Sequence, residues 1–274
     1  MQKITDNVFI ETGFLGCNTG FVVTEDGVAV IDTPMIPEDA KKWQKEAVKH
    51  GPVRYIINTE PHTDHTSGNC YFGCTVVSHE GTRDAMVSRN REELENTLKQ
   101  LAPDSLPVEE GFHFCPPDIT YSQKEMNIYL GRHTFRLINM PGHTPFQTVV
   151  YIPEEGVAFT SDNICLTGPI FPVNACPSKW LESLKKIQTL GANILVPGHG
   201  EVCGPGDIPK MTAQVKGWID AVSRTISKGM TLEEALEDFS LPGKRPGASD
   251  SPFAKQMQDR SVTHLYGILK GEGK

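Results

Sequence analysis

The stretch from Asn58 to Asn69, N-T-E-P-H-T-D-H-T-S-G-N, decides how this chain reads. The five residues before it, Val53 to Ile57 (V-R-Y-I-I), have the β-branched and aromatic content of a short buried strand. Then come Glu60, His62, Asp64 and His65, four side chains of metal-ligating type. Pro61 fixes its own φ and disfavours the helical region for Glu60 before it. The segment therefore reads as extended, and alternate side chains of an extended segment share one side. Glu60, His62 and Asp64 should project together, with a bend at the Asp64–His65 step bringing His65 to join them. Imidazole and carboxylate together suit zinc, iron or manganese. The plainer alternative is a polar loop whose histidines only form hydrogen bonds.

Three more residues weigh against that alternative. His143 stands in P-G-H-T after the apolar run Phe135 to Met140, and His199 in P-G-H-G after Ile194 to Val196. Asp162 follows Val157 to Thr160. Each is a metal-binding type at the C-terminal end of an expected strand. One such histidine is ordinarily structural; three such strand ends beside the first cluster point to a metal site.

These residues give the chain its resemblance to the metallo-β-lactamase superfamily, from about Val8 to Gly200. The hallmark H-x-H-x-D-H reads here Glu60-Pro61-His62-Thr63-Asp64-His65, with glutamate at the first histidine position. The later histidine, aspartate and histidine match His143, Asp162 and His199. The resemblance implies an α/β fold, a four-layer αβ/βα sandwich with the metals at one edge between its sheets. It implies two divalent ions, zinc foremost: one on Glu60, His62 and His143, the other on Asp64, His65 and His199, with Asp162 bridging. It further implies a hydrolase whose metal-bound hydroxide attacks the substrate, with Asp64 essential to catalysis. Asp32, in V-A-V-I-D-T, matches an aspartate that accepts hydrogen bonds from the ligand-bearing loop; the alternative is a turn or cap aspartate before Pro34.

Glu60 departs from the family pattern. As a ligand it would place three carboxylates around two cations, weakening them as Lewis acids and shifting preference towards manganese or iron. If it stands off, the first site is weak and the protein mononuclear.

Composition removes other classes. A net charge of −8 supplies no basic face for nucleic acid. The 36 residues between Asp162 and His199 and the 77 between His65 and His143 leave no room for an inserted nuclease domain. No apolar run is long enough to span a bilayer, and M-Q-K-I-T-D-N-V-F-I has no secretory pattern. The seven cysteines form no disulfide framework, which suggests reduced thiols in a cytoplasm; a leader already removed is the alternative. Cys165 and Cys203 lie near ligand positions but outside the pattern.

Along the chain, Val8–Glu11, Thr19–Thr24 and Val28–Ile31 read as strands and Pro37–His50 as an amphipathic helix. Strand, helix and the Val53 strand make a β-α-β unit, which favours a parallel pair. Thr75–Ser78 reads as a strand, Gly81–Leu101 as surface helix and Ala102–Pro117 as a loop. Ser178 is the expected N-cap of a helix carrying Leu181, Leu184, Ile187 and Leu190. Residues 1–206 form the expected sandwich and 207–274 a helical extension over Lys210–Lys228, Thr231–Phe239 and Ser251–Leu269. Its apolar residues, Trp218, Val222 and Leu265 among them, need burial on the sandwich or in a homodimer contact.

The flanking loops Thr12–Asn18 and Ile164–Pro177 supply Phe14, Leu166 and Phe171, an apolar mouth with few positive charges. That suits a small uncharged or apolar substrate: an ester, lactone, thioester or lactam. Two other readings compete with the hydrolase. One is an iron-dependent redox or dioxygen-using member of the superfamily; the other is a non-catalytic ligand-binding protein with a modified site.

Overall fold

Period-two alternation with both faces buried builds the first sheet. In β4 (Gly27–Ile31), Val28 and Val30 point to one side and Ala29 and Ile31 to the other, all of them buried. The structure is a computed structural model and describes residues 1–238, 240–242 and 251–271. Before β4 come β1 (Gln2–Lys3), β2 (Val8–Glu11) and β3 (Thr19–Thr24), paired antiparallel in sequence order. After it come α1 (Pro37–Val48), β5 (Val53–Ile57), α2 (Thr63–Thr66), β6 (Thr75–His79), α3 (Glu80–Met86), α4 (Arg91–Leu101) and β7 (Ile119–Tyr121). The pairs β4–β5, β5–β6 and β6–β7 are parallel, as helical crossovers require. The seven strands lie in sequence order in one sheet.

The second sheet has the order β12-β11-β10-β9-β8. Its strands are β8 (Glu125–Leu130), β9 (His133–Asn139), β10 (Thr148–Ile152), β11 (Val157–Cys165) and, after α5 (Pro177–Gln188), β12 (Ile194–His199). The pair β11–β12 is parallel and the others antiparallel. Then follow α6 (Ile208–Ser227), α7 (Leu232–Leu236) and α8 (Pro252–Leu269).

Three apolar clusters make these elements four layers. Ile10, Ile31 and Ile57 of the first sheet pack against Phe135, Leu137 and Phe159 of the second. On the outer face of the first sheet, Val28, Val30 and Ile56 meet Trp43 and Ala47 of α1. On the outer face of the second, Val149 and Leu195 share a cluster with Trp180 and Leu184 of α5, Trp218 and Val222 of α6, and Leu265 of α8. This is the α/β sandwich the sequence predicted. Glu60 to His65 follow β5, His143 follows β9 and His199 ends β12, whereas Asp162 lies within β11, which runs on to Cys165 rather than ending before it.

Two local expectations fail. The segment after Pro61 is not extended throughout: His62 keeps extended angles (φ −61, ψ 153), and Thr63–Thr66 then closes a helical turn. Pro61 restricts itself and Glu60 but places no limit on Thr63 onward. The turn is held by hydrogen bonds from the Thr66 and Ser67 hydroxyls to the carbonyls of His62 and Thr63, at 2.9 and 2.6 Å. A helical turn, rather than a bend at one step, aims Asp64 and His65. The N-cap of α5 is Cys176, two residues before Ser178, because Pro177 takes the first helical position, where its missing N–H costs nothing. Thr231 forms a capping box with Glu234, and Ser251 caps α8; Phe239 lies outside the described residues.

The packing of α8 gives a direct test. Leu265 is buried within the cluster shared with α5 and α6. Leu265→Ala should lower the free energy of unfolding by about 2–5 kcal/mol in a denaturant titration. A change within the error of that measurement would show that α8 does not pack there.

Candidate metal centre

The centre is assembled from five chain segments, each fixed by its own backbone contacts. His65, fully buried, has its carbonyl held by the Thr33 amide (3.0 Å) and the Asn58 side chain (3.1 Å). Asn58 and Asn69, the two ends of the decisive stretch, bond to each other: Asn69 Nδ2 donates to Asn58 Oδ1 at 2.7 Å, and Asn58 Nδ2 to Asn69 Oδ1 at 3.2 Å. The loop is thus clamped at its base before any ligand binds.

Asp32 lies beneath the ligand-bearing loop. It accepts from the Thr59 amide at 2.8 Å and the Thr59 hydroxyl at 2.5 Å, and its Oδ2 lies 2.8 Å from His65 Nδ1. With Nδ1 engaged there, His65 presents Nε2 to the interior of the site. Asp32 holds φ 54, a left-handed conformation that carries strain for a non-glycine residue. Ser161, with φ 50, shares that state and contacts the Thr59 hydroxyl at 2.6 Å.

The two P-G-H motifs need glycine because the site crowds their backbones. A Cβ on Gly198 would fall 1.8 Å from Asp162 Oδ1, and one on Gly142 would fall 2.0 Å from Asn163 Oδ1. Asn163 receives the His143 amide at 3.1 Å, so the same contact that excludes a side chain at Gly142 fixes His143.

The seven predicted residues come together. One group holds Glu60, His62 and His143, another Asp64, His65 and His199, and a third Glu60, His65 and Asp162; within each, the candidate ligand atoms lie within 4.8 Å of one another. Asp162 sits between the first two, with Oδ2 3.6 Å from His143 Nε2 and 3.3 Å from His199 Nε2, and Oδ1 3.3 Å from His65 Nε2. Asp64 Oδ2 lies 3.4 Å from His199 Nε2. Glu60 Oε2 lies 2.5 Å from His62 Nδ1 and 4.0 Å from His143 Nε2.

Glu60 is completely buried, and its other oxygen is occupied: Oε1 accepts from Ser161 Oγ at 3.1 Å and Gln147 Nε2 at 3.2 Å. Three buried atoms facing the interior, Glu60 Oε2, His65 Nε2 and Asp162 Oδ1, have no well-aligned hydrogen bond within the protein and meet only the other candidate ligands, Glu60 Oε2 against His62 and Asp162 Oδ1 against His65. Buried carboxylates and imidazoles that converge with no other partner are costly unless a cation satisfies them. The donor set and its geometry therefore fit a divalent metal.

The charges lean the same way. Burial pushes the Asp162 carboxyl up, but the His199 and His65 imidazoles outweigh it and hold it well below the usual range. Asp64 is lowered against its burial by His65 and His199, and Glu60 by His62 and then His65 and His143. Against burial, Asp162 and Asp64 push the His199 imidazole up to about 12. His62 is raised against burial chiefly by Glu60, and His65 by Cys17, Glu60 and Asp64. Burial dominates at His143 and lowers it.

The surroundings differ from the expected apolar mouth. The centre opens into a cleft of 700 Å³. Phe171 lines it, but Phe14 turns away and packs edge-on against Trp43, 6.1 Å between ring centres, while Leu15 and Gly16 line the cleft. Leu166 packs on the outer core of the second sheet instead, and Phe146 stacks on His79. Two arginines, Arg89 and Arg260, line the cleft, which corrects the expectation of few positive charges. Motif reading missed both, as it missed Gln147 and Asn174, whose Nδ2 lies 3.3 Å from His62 Nε2. Nothing local in S-R-N-R or in P-V-N-A signals such a role; these residues reach the site only through the fold. Buried Cys17 shares a further group with Asp32 and His65, and burial pushes its thiol up to about 12.

Comparison with known proteins agrees with this geometry. A linear primary-alkylsulfatase from Pseudomonas sp. is 25% identical over 289 residues, covering 88% of this chain and 53% of that protein. A hydroxyacylglutathione hydrolase from Erythrobacter litoralis is 26% identical over 180 residues, covering 64% and 60%. This chain spans about half the length of the first curated relatives it matches. Among solved structures, a metallo-beta-lactamase family protein from Thermus thermophilus superposes with a TM-score of 0.69 at 18% identity, over 98% of this chain and 95% of its own. The family model described as metallo-beta-lactamase superfamily matches residues 12–199. That span takes in the motif stretch and every later candidate ligand, and the chain belongs to the metallo-beta-lactamase superfamily.

Proposed function

We propose that this chain is a metal-dependent hydrolase with a dinuclear centre, acting on a carbonyl-centred bond of a small substrate. The observation that carries the reading is the convergence of the buried Glu60 Oε2, His65 Nε2 and Asp162 Oδ1, which meet only other candidate ligands, between two three-residue ligand groups. Relatives named as a hydroxyacylglutathione hydrolase and an alkylsulfatase support hydrolysis as the reaction class. Two divalent cations here, zinc foremost, would supply Lewis-acid polarisation of a substrate oxygen and a water acidic enough to attack near neutral pH.

The residues divide that work. Glu60, His62 and His143 would hold one cation, Asp64, His65 and His199 the other, and Asp162 would reach both. Asp32 fixes the His65 ring through Nδ1, and Asn174 contacts His62 at the ring nitrogen away from Glu60. Gln147 and Ser161 hold Glu60 Oε1, which lies 3.7 Å from His65 Nε2, while Oε2 faces His62 and His143. Glu60 supplies a hard oxygen donor where the family has imidazole, which favours manganese or iron more than the usual set does.

No side chain takes the role of nucleophile. Ser161 is turned to Glu60 and Ser67 to the Thr63 carbonyl. Cys165 lines the cleft, but burial pushes its thiol up to about 11, and it donates to the Thr167 carbonyl. The iron-dependent redox reading rests on the same carboxylates and is separated from hydrolysis by metal content. Among the described residues no helix is long and apolar enough to cross a membrane, and the cytoplasm remains the proposed location.

Three measurements test this reading. His65 and His199 are raised well above the ordinary imidazole range, so without metal they hold protons at neutral pH that a cation must displace. Zinc added to chelator-treated protein should therefore release protons into weak buffer, and its affinity should fall as pH is lowered. Affinity independent of pH would contradict the ligand set. Gln147→Leu frees Glu60 Oε1 and should weaken binding of one cation about tenfold by calorimetry, an effect of the size of one charged hydrogen bond. Gln147→Glu would set a second carboxylate against Glu60 and should raise the loss; two unaffected sites in both variants would remove Glu60 from the centre. Finally, Asp64→Ala should abolish turnover of chromogenic esters, lactones and β-lactams without altering circular dichroism, and chelation should do the same to the natural protein. Full activity after either treatment would end the hydrolase assignment.

A further inference from the structure

We infer that α8 is the specificity wall of the cleft, and that Arg260 on it binds an anionic group of the substrate remote from the reacting bond. The inference rests on the proposed hydrolase site and names its substrate class: an elongated molecule with an apolar body and a carboxylate or sulfonate end.

The helix has two working faces. Val262 and Leu265 are buried in the core beneath it, whereas Phe253, Gln256, Met257 and Arg260 line the cleft that also holds His62, Asp64 and His199. Those four positions follow the i, i+3, i+4, i+7 spacing of one helix face. At 1.5 Å of rise per residue, the face runs about 10 Å from Phe253 to Arg260. Phe253 and Met257 are partly buried there, and Phe171 and Val173 line the same cleft from the loop after β11. An apolar surface of that length suits an alkyl or aryl body, and the cleft volume of 700 Å³ suits a ligand of that size.

The charges single out Arg260. Of the two arginines in the cleft, Arg89 is committed: its guanidinium donates to the Pro61 carbonyl, lies 3.2 Å from Glu93 and covers the Phe114 ring. Arg260 is exposed and, among the described residues, makes no hydrogen bond or ion pair. A planar guanidinium at the end of an apolar wall matches a carboxylate or sulfonate, which it can bind through two parallel hydrogen bonds. The facing wall on α4 offers Asn96, Thr97 and Gln100, polar groups without charge. Glu93, also on α4, is paired with Arg89. Among the described residues lining the cleft, the remaining carboxylates are Asp64 and Asp162, which belong to the metal groups.

The test uses the metal-loaded full chain and two esters alike in body: mono-4-nitrophenyl suberate, with a free carboxylate, and its methyl ester. The natural protein should prefer the free acid about tenfold or more in kcat/KM, mainly through a lower KM. Arg260→Gln should bring the ratio towards one, Arg260→Lys should keep part of it, and Arg260→Glu should reverse it. A ratio that Arg260→Gln leaves unchanged overturns the inference. If the natural protein cleaves neither ester, the panel of lactones and β-lactams decides the hydrolase reading, and calorimetry decides the anion site separately. Octanoate and octanesulfonate should then bind tighter than octan-1-ol, by a margin that Arg260→Gln removes. Equal binding to the variant would place the anion elsewhere, on the metals or in solvent, and would overturn the inference on its own.

Discussion

A completely buried carboxylate, that of Glu60, is the constraint on which the centre depends. Taking a carboxylate out of water costs several kcal/mol unless every lone pair finds a partner. Gln147 from the start of β10 and Ser161 from β11 meet one oxygen, and the other faces His62 and His143. Those partners belong to the second sheet and to the loop after β5 of the first. The charge can be buried only when the two sheets are stacked in register, which ties the packing of the sandwich to the assembly of its site.

The second carboxylate, Asp32, is bound into the same network by a proton shortage. Thr59 and Ser161 each have one hydroxyl proton, yet three contacts need one: Thr59 to Asp32, Thr59 to Ser161, and Ser161 to Glu60. Whichever way the protons turn, one contact is left without a donor, and the charge on Asp32 and the charge on Glu60 are felt by each other through two hydroxyls. Both Asp32 and Ser161 take left-handed backbone angles to stand there. Strain of that kind is retained where the surrounding contacts over-determine it. Here the surrounding contacts are the Thr59 amide, the His65 ring and the crowding of Gly198 against Asp162.

What the sequence disclosed follows the range of the forces involved. Strands β2 to β6 and the later strands near His143, Asp162 and His199 were legible because each holds a short apolar run, and such runs are local; that β11 continues through Asp162 to Cys165 was not. The ligands were legible because their chemistry is rare and their placement at strand ends repeats. The helical turn at Thr63–Thr66 was not, since it depends on hydroxyl-to-carbonyl bonds that Thr66 and Ser67 merely permit. The roles of Phe14, Leu166 and Arg260 were not legible either. Which way Phe14 turns is decided by Trp43, 29 positions away, and Arg260 meets the cleft only because α8 crosses the chain's own core.

That crossing separates two tasks that a single loop could not perform together. The ligand-bearing turns are pinned by buried bonds at both ends, as Asn58 and Asn69 show, and cannot change without loosening the cations they would hold. The cleft walls on α4 and α8 carry no such bonds into the centre, and their cleft-facing residues are partly or fully exposed. Substitution there alters shape and charge while the buried network below stays intact. A scaffold built in this way can keep one reaction and exchange its substrates, which is why the hallmark residues announce the chemistry and say little about the molecule acted on. If α8 is the specificity wall inferred above, the information on the substrate lies far along the sequence from the motif that announces the metal.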